Sequence, residues 1–248
     1  MKSVLFDPTQ YNGYSTIGRQ YKVIEFTFDD FSGEEEQQIL LEADSIYHNA
    51  NGSAANSGVP RSNQTKWIDA LSGIISEFAC VKFLSDERIF EGFKAHRPNI
   101  ESIQNQVDII WEMNETDYSV EVRSSFVKNG IEFALYGVNR ETGKSYIDVL
   151  GPYYQKTYKE NYENFKDIFL RVLFPSEKSG FEERYISQKE PFYLVGGLEG
   201  HRIIELNSHK TLTPENATGL ERGDYYVAQI DEIMDSGEFW THFRNSIE

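Results

Sequence analysis

Two apolar runs joined by a polar turn, VDIIWEM and TDYSVEVRSS within residues 107–125, each carry a carboxylate, and the second follows its acid with an arginine: Asp108, then Glu121 and Arg123. A two-residue turn at Asn114 and Glu115 sets Asp108 directly opposite Glu121, with Cβ atoms about 4.5–5.5 Å apart. A four-residue turn over 114–117 sets Asp108 opposite Arg123 instead. The strand period of two keeps all three on one sheet face either way. Two carboxylates so close destabilise a sheet unless a cation lies between them, and all-oxygen ligands suit Mg2+ or Mn2+. The plainer reading is a half-exposed hairpin with an acidic solvent face, its Glu-x-Arg an ion pair of about 0–1 kcal/mol.

A third carboxylate precedes the hairpin. Residues 66–84, KWIDALSGIISEFACVKFL, repeat their apolar side chains at helical spacing. On that helix Glu77 falls at the edge of the apolar stripe, beside Ile74 and Val81, from where it faces the hairpin across a packed interface. Gly73, one turn earlier, suggests a place where helix and sheet approach closely. The only cysteine, Cys80, sits in the same helix, where apolar surroundings keep a thiol inert. The five histidines show no metal-ligand spacing, which disfavours zinc.

The order Glu77 on a helix, then Asp108, then Glu-Val-Arg at 121–123 resembles the PD-(D/E)xK nuclease superfamily, which includes many restriction endonucleases. The resemblance covers about residues 66–138. It implies a restriction-endonuclease-like mixed central sheet flanked by helices, with Asp108 as the motif aspartate and Glu121 as the motif acid. Val122 then offers its carbonyl to the metal, and Glu77 joins Asp108 and Glu121 as a ligand. Arg123 stands where the family has lysine, and Val107 where it often has proline. Lys66 does not replace the missing lysine, lying about 16 Å from Glu77 along the helix at roughly 1.5 Å per residue. Lys128 has the wrong strand parity and lies about 23 Å beyond Glu121 at roughly 3.3 Å per residue.

The implied chemistry is hydrolysis of DNA phosphodiesters with Mg2+ or Mn2+, in which Asp108, Glu121, Glu77 and Arg123 form the catalytic set. Arg123 stays protonated, so it grips a phosphate oxygen or orients water and does not act as a base. The alternative is a catalytically silent protein of the same fold that binds DNA or another protein, a reading that the loss of lysine and the acidity favour. The net charge is −16, but residues 23–47 carry eight acids and no Lys or Arg, and residues 215–248 carry eight acids against two basic residues. The remainder is close to neutral, and it supplies the candidate phosphate contacts Lys66, Lys128, Arg140, Lys144, Lys156 and Lys159. Whether the chain pairs with itself or with a protein partner is left open by the sequence.

The elements that must position these residues follow from periodicity. Residues 21–30 read as a strand and 32–49 as a helix that opens with acids, an N-terminal accessory segment within 1–60. The Gly- and Ser-rich stretch over 50–65 reads as a mobile connection to a core over 61–248. Beyond the hairpin, 130–138, 169–174, 191–198 and 224–230 read as strands, and 159–169 and 231–243 as helices. Strands alternating with helices give an α/β or α+β fold built on a mixed sheet flanked by helices. No run approaches the roughly 18 apolar residues of a membrane span, and a single cysteine excludes an internal disulfide, so a cytoplasmic protein without a membrane partner is expected.

Overall fold

The computed structural model describes residues 1–49, 62–85, 93–96, 107–113, 115–156, 165–212 and 223–245. The chain runs β1 (Lys2–Phe6), β2 (Tyr21–Phe26), α1 (Gly33–Asn49), α2 (Asn63–Leu84), β3 (Phe93–His96), β4 (Ile109–Met113), β5 (Thr116–Phe126), α3 (Ile131–Tyr136), β6 (Asp148–Lys156), β7 (Ile168–Phe174), β8 (Phe192–Glu199), α4 (Gly200–Glu205), β9 (His209–Leu212), β10 (Gly223–Gln229), β11 (Met234–Asp235) and α5 (Ser236–Asn245). Seven strands form one mixed sheet in the order β1-β2-β8-β7-β5-β4-β3, and β11 adds to β8. Among the described strands, only β5 and β7 run parallel within it. A smaller sheet, β6-β10-β9, is antiparallel. This is the mixed α+β architecture that the alternation of elements predicts.

Each face of the large sheet has its own core. One face packs Ile109, Trp111, Val120, Ile168, Leu170, Val172 and Phe174 against α1, α2 and α5. The other packs Phe169, Leu173, Tyr193 and Val195 against Val149 and Ala228 of the small sheet and Ile203 of α4. Because side chains alternate along a strand, neighbouring residues of β7 belong to different cores. Every residue of β7 is buried, as expected for a central strand covered on both faces.

The helix that carries Glu77 begins three residues earlier than the periodicity indicates. Ser62 caps it, its hydroxyl accepting from the Thr65 N–H at 3.0 Å. A Cβ at Gly73 meets nothing within 4 Å, so the close helix–sheet approach expected there is absent. The strand and helix expected within residues 1–60 are β2 and α1; β2 hydrogen-bonds to β8 inside the large sheet, and α1 shares a core with α2. The connection over 50–65 lies outside the described residues up to position 61.

Three sequence expectations are corrected. Residues 131–136 form a short helix: Gly130, at φ +88, turns the chain, and a six-residue run of mixed apolar residues does not distinguish the two periods. The last helix starts at Ser236 and not at 231. Asp235 fixes that start, its Oδ1 accepting from Gly237 N at 2.8 Å and Glu238 N at 2.9 Å while Oδ2 accepts from Lys22 N at 2.9 Å. Of the helix expected over 159–169, the part up to 164 lies outside the described residues, and 168 and 169 open β7. The N-terminal strand β1 has no counterpart in the sequence reading.

Candidate functional site

The hairpin adopts the two-residue register. Met113 pairs with Thr116 and Ile109 with Val120, so the next position brings Asp108 opposite Glu121. Glu115 makes the turn with φ +60. Asp108 sits in the bend just before β4 and is 9% exposed. Its Oδ2 accepts from the Val122 N–H at 2.8 Å, which ties the carboxylate to the backbone of the Glu-Val-Arg element. A buried carboxylate held this way is positioned without needing a flexible side chain to find its place.

On β5 the even residues Val120 and Val122 pack toward the helices, so strand parity turns Glu121 and Arg123 toward the small sheet. Arg123 confirms the direction: its guanidinium lies 5.9 Å from the ring of Phe169, which belongs to that second core. Glu121 Oε1 and Arg123 Nη1 form an ion pair at 3.4 Å, with the two side chains 13% and 22% exposed.

Glu77 is buried within α2, at 4% exposure, on the helical side of the sheet. Its field and that of Asp108 both reach Cys80, one turn further along α2. Burial first, then these two carboxylates, push the Cys80 thiol well above its ordinary range. The thiol is therefore inert, as its apolar setting in the sequence predicts. Asp108 thus stands between two groups, with Glu77 on the helical side and Glu121 and Arg123 on the other.

Asp108, Glu121, Glu77 and the Val122 carbonyl are hard oxygen donors, the chemistry that Mg2+ or Mn2+ takes. Among the described residues, no group of three or more His, Cys, Asp or Glu side chains is arranged to hold a metal ion. The sheet supplies the reason, since α2 delivers Glu77 to the face opposite the one that Glu121 occupies.

The sequence reading missed Arg171. It lies in the middle of β7, directly beside Arg123 in the parallel register, and is 4% exposed. Its Nη2 donates to Ser125 Oγ at 2.9 Å, and its buried Nε has no hydrogen-bond partner among the described residues. Burial, and next the charge of Arg123, lower its pKa to about 10, while Asp148 acts in the opposite sense. The signal was present in the sequence: FLRVLF is apolar on both parities except for one arginine, and a charge in a doubly covered strand needs a reason.

Of the candidate phosphate contacts, the described ones, Lys66, Lys128, Arg140 and Lys144, make no ion pair or hydrogen bond to Asp108, Glu121 or Arg123. Lys66 lies on α2 with its ammonium over the Tyr47 ring at 5.6 Å. Lys128 is exposed just beyond β5. Arg140 and Lys144 are exposed in the turn between α3 and β6, where Arg140 lies 5.2 Å from the Tyr14 ring. Arg140 helps line a surface cleft of about 450 Å³ with Tyr11, Tyr14, Phe133 and Tyr146. Phe133 and Tyr146 stack there with centroids 5.1 Å apart. Lys156 ends β6, with its side chain outside the described set, and Lys159 lies outside the described residues. No described helix is long and apolar enough to cross a membrane. Set against known proteins, the chain matches no family model, no curated protein and no solved structure.

Proposed function

We propose that this protein is a metal-dependent nuclease of the PD-(D/E)xK type, acting on DNA phosphodiesters in the manner of a restriction endonuclease. The observation that carries the reading is the hairpin register: Asp108 falls opposite Glu121, and its carboxylate is fastened to the N–H of Val122 between Glu121 and Arg123. Glu77 on the preceding helix keeps the order of acids that the resemblance requires. A Mg2+ or Mn2+ ion at Asp108, Glu121 and the Val122 carbonyl would supply Lewis acidity and an acidified water, with Glu77 outside that set because α2 holds it on the opposite face of the sheet. The residues of the chain do the rest. The Val122 N–H orients the Asp108 carboxylate, and Arg123 stays protonated and presents its planar fork to a phosphate oxygen.

A catalytically silent binding module is the second reading. The Glu121–Arg123 ion pair favours it, because an arginine then neutralises the acid that a metal would otherwise claim.

Cleavage of plasmid and linear DNA by the purified chain with Mn2+, Mg2+ or EDTA decides between them. The nuclease reading expects cleavage only with metal, and its loss together with weakened Mn2+ binding in both Asp108→Asn and Glu121→Gln. Asn at 108 keeps an acceptor for Val122 N–H, so the fold survives the substitution. Mn2+ titrations identical in parent and both variants, with no cleavage by any of them, would refute the hydrolytic reading in favour of the silent module.

A further inference from the structure

Arg123 and Arg171 are adjacent residues on parallel strands, on the face of the large sheet that meets the small sheet. Parallel neighbours are about 4.8 Å apart at the backbone, and like charges set side by side on a sheet repel. A buried guanidinium normally has a carboxylate to compensate it. Arg171 has none within ion-pairing distance among the described residues. Its Nη2 donates to the neutral Ser125 hydroxyl, and among the described residues its buried Nε donates to nothing. The acid whose field reaches it, Asp148, is already paired with Lys210. On the β8 side its register partner is Gly196, which brings no side chain.

The chain thus keeps a cation in its interior, next to a second cation, with its Nε–H unused among the described residues. Such an arrangement is costly unless something negative completes it, and a guanidinium offers five N–H donors in a fork that matches two oxygens of a tetrahedral anion. Arg123, with 22% of its side chain exposed, is the open end of the pair, and Arg171 is the closed end. Glu121 lies on Arg123 on the same face, so an arriving anion meets Arg171 and Ser125 on one side and must share Arg123 with that carboxylate.

We propose that Arg171, Arg123 and Ser125 form a site for a phosphate group of a nucleic-acid strand, held between the two sheets beside the Asp108–Glu121 pair. This deepens the nuclease reading and rests on it for the identity of the ligand. The site itself needs no metal, because the cations are supplied by the protein.

The test uses the full chain in EDTA with inorganic phosphate as the probe, followed by calorimetric titration and thermal melting. The parent should bind phosphate and melt higher as phosphate is added, because a ligand that binds only the folded state stabilises it. Arg171→Met should weaken phosphate binding about tenfold or more, the scale of losing a charge-assisted hydrogen bond. In phosphate-free buffer it should melt at or above the parent temperature, since an uncompensated buried charge has been removed. A variant that melts well below the parent while its phosphate response is unchanged would make Arg171 a structural residue and overturn the proposal. Arg123→Gln, at the more exposed position, gives a second measurement that should also weaken phosphate binding; unaltered binding there would remove Arg123 from the site.

A hexathymidylate added in EDTA should compete with inorganic phosphate. Phosphate binding without such competition would assign the site to a free phosphate compound and overturn the nucleic-acid assignment. The two readings fail differently. Phosphate binding that depends on Arg171, with no cleavage under any metal, leaves the anion site standing and defeats the hydrolytic reading. Metal-dependent cleavage that Arg171→Met leaves at the parent rate defeats the anion site alone.

Discussion

Arg123 carries the largest chemical question at the scale of single residues, because it stands where the resembled family has lysine and is already engaged with Glu121 at 3.4 Å. If it positions phosphate during cleavage, Arg123→Ala should reduce the single-turnover cleavage rate about a hundredfold, the scale of losing one preorganised donor. Arg123→Lys should keep most of the rate, since an ammonium retains the charge and reaches the same region without the fork. Equal losses in both variants would mean that the planar fork, and not the charge, is what the site uses. Asp108, Glu121 and Arg123 were legible in the sequence because a period of two places them together whichever common turn forms. Arg171 shows in the sequence only as a lone charge in an apolar strand; that it stands beside Arg123 depends on β7 lying next to β5, and strand order is a tertiary fact.

Elements explain why Glu77 is harder to place than the hairpin acids. The helix α2 is legible in the sequence from its apolar repeat over 66–84, yet its start at the Ser62 cap and the sheet face it covers are set by the structure, where it packs against α1 and α5. Gly73 shows the same limit. A glycine in a helix suggests a close crossing, but the structure leaves open space around its Cβ position, so its lack of a side chain serves no packing purpose. Gly73→Ala should therefore raise the free energy of unfolding by about 0.8–1.0 kcal/mol, the helix-propensity difference. Urea denaturation of the two proteins measures it, and a loss of stability would reveal a close neighbour that the packing described above does not contain. The short helix at 131–136 marks the opposite failure: six residues are too few for either period to dominate, and the Gly130 conformation decided the outcome.

The whole molecule brings together buried tyrosines that respond to alkali. Burial pushes Tyr185 and Tyr193 up to about 12, and raises Tyr136 further. Above the ordinary tyrosine value of 10, the unfolded chain releases these protons while the folded chain keeps them, so the folded state binds more protons and stability falls as pH rises. Arg171 works the other way. Its folded value of about 10 lies below the ordinary 12.5, so between those values the unfolded chain binds the extra proton and stability gains with pH. One arginine opposes several raised tyrosines, Tyr11 and Tyr21 among them. The melting temperature should therefore drop from about pH 10 upward, and it should drop more steeply in Arg171→Met, which lacks the opposing group. Melting curves from pH 8 to 12 check both the direction and the difference.

The sequence by itself determined the hairpin, the parity of its acids, the α2 helix and the mixed α+β class, because each follows from local periodicity and turn chemistry within about twenty residues. It also determined where the negative charge lies, in residues 23–47 and 215–248, since composition needs no fold. Only the tertiary structure decided that β2 joins β8, that β7 lies parallel to β5, and that Arg171 therefore stands beside Arg123. It also decided that Glu77 approaches Asp108 from the helical face while Glu121 looks toward the small sheet. Those relations join residues far apart in the chain, and they are set by which apolar faces bury one another, a property that no single segment carries.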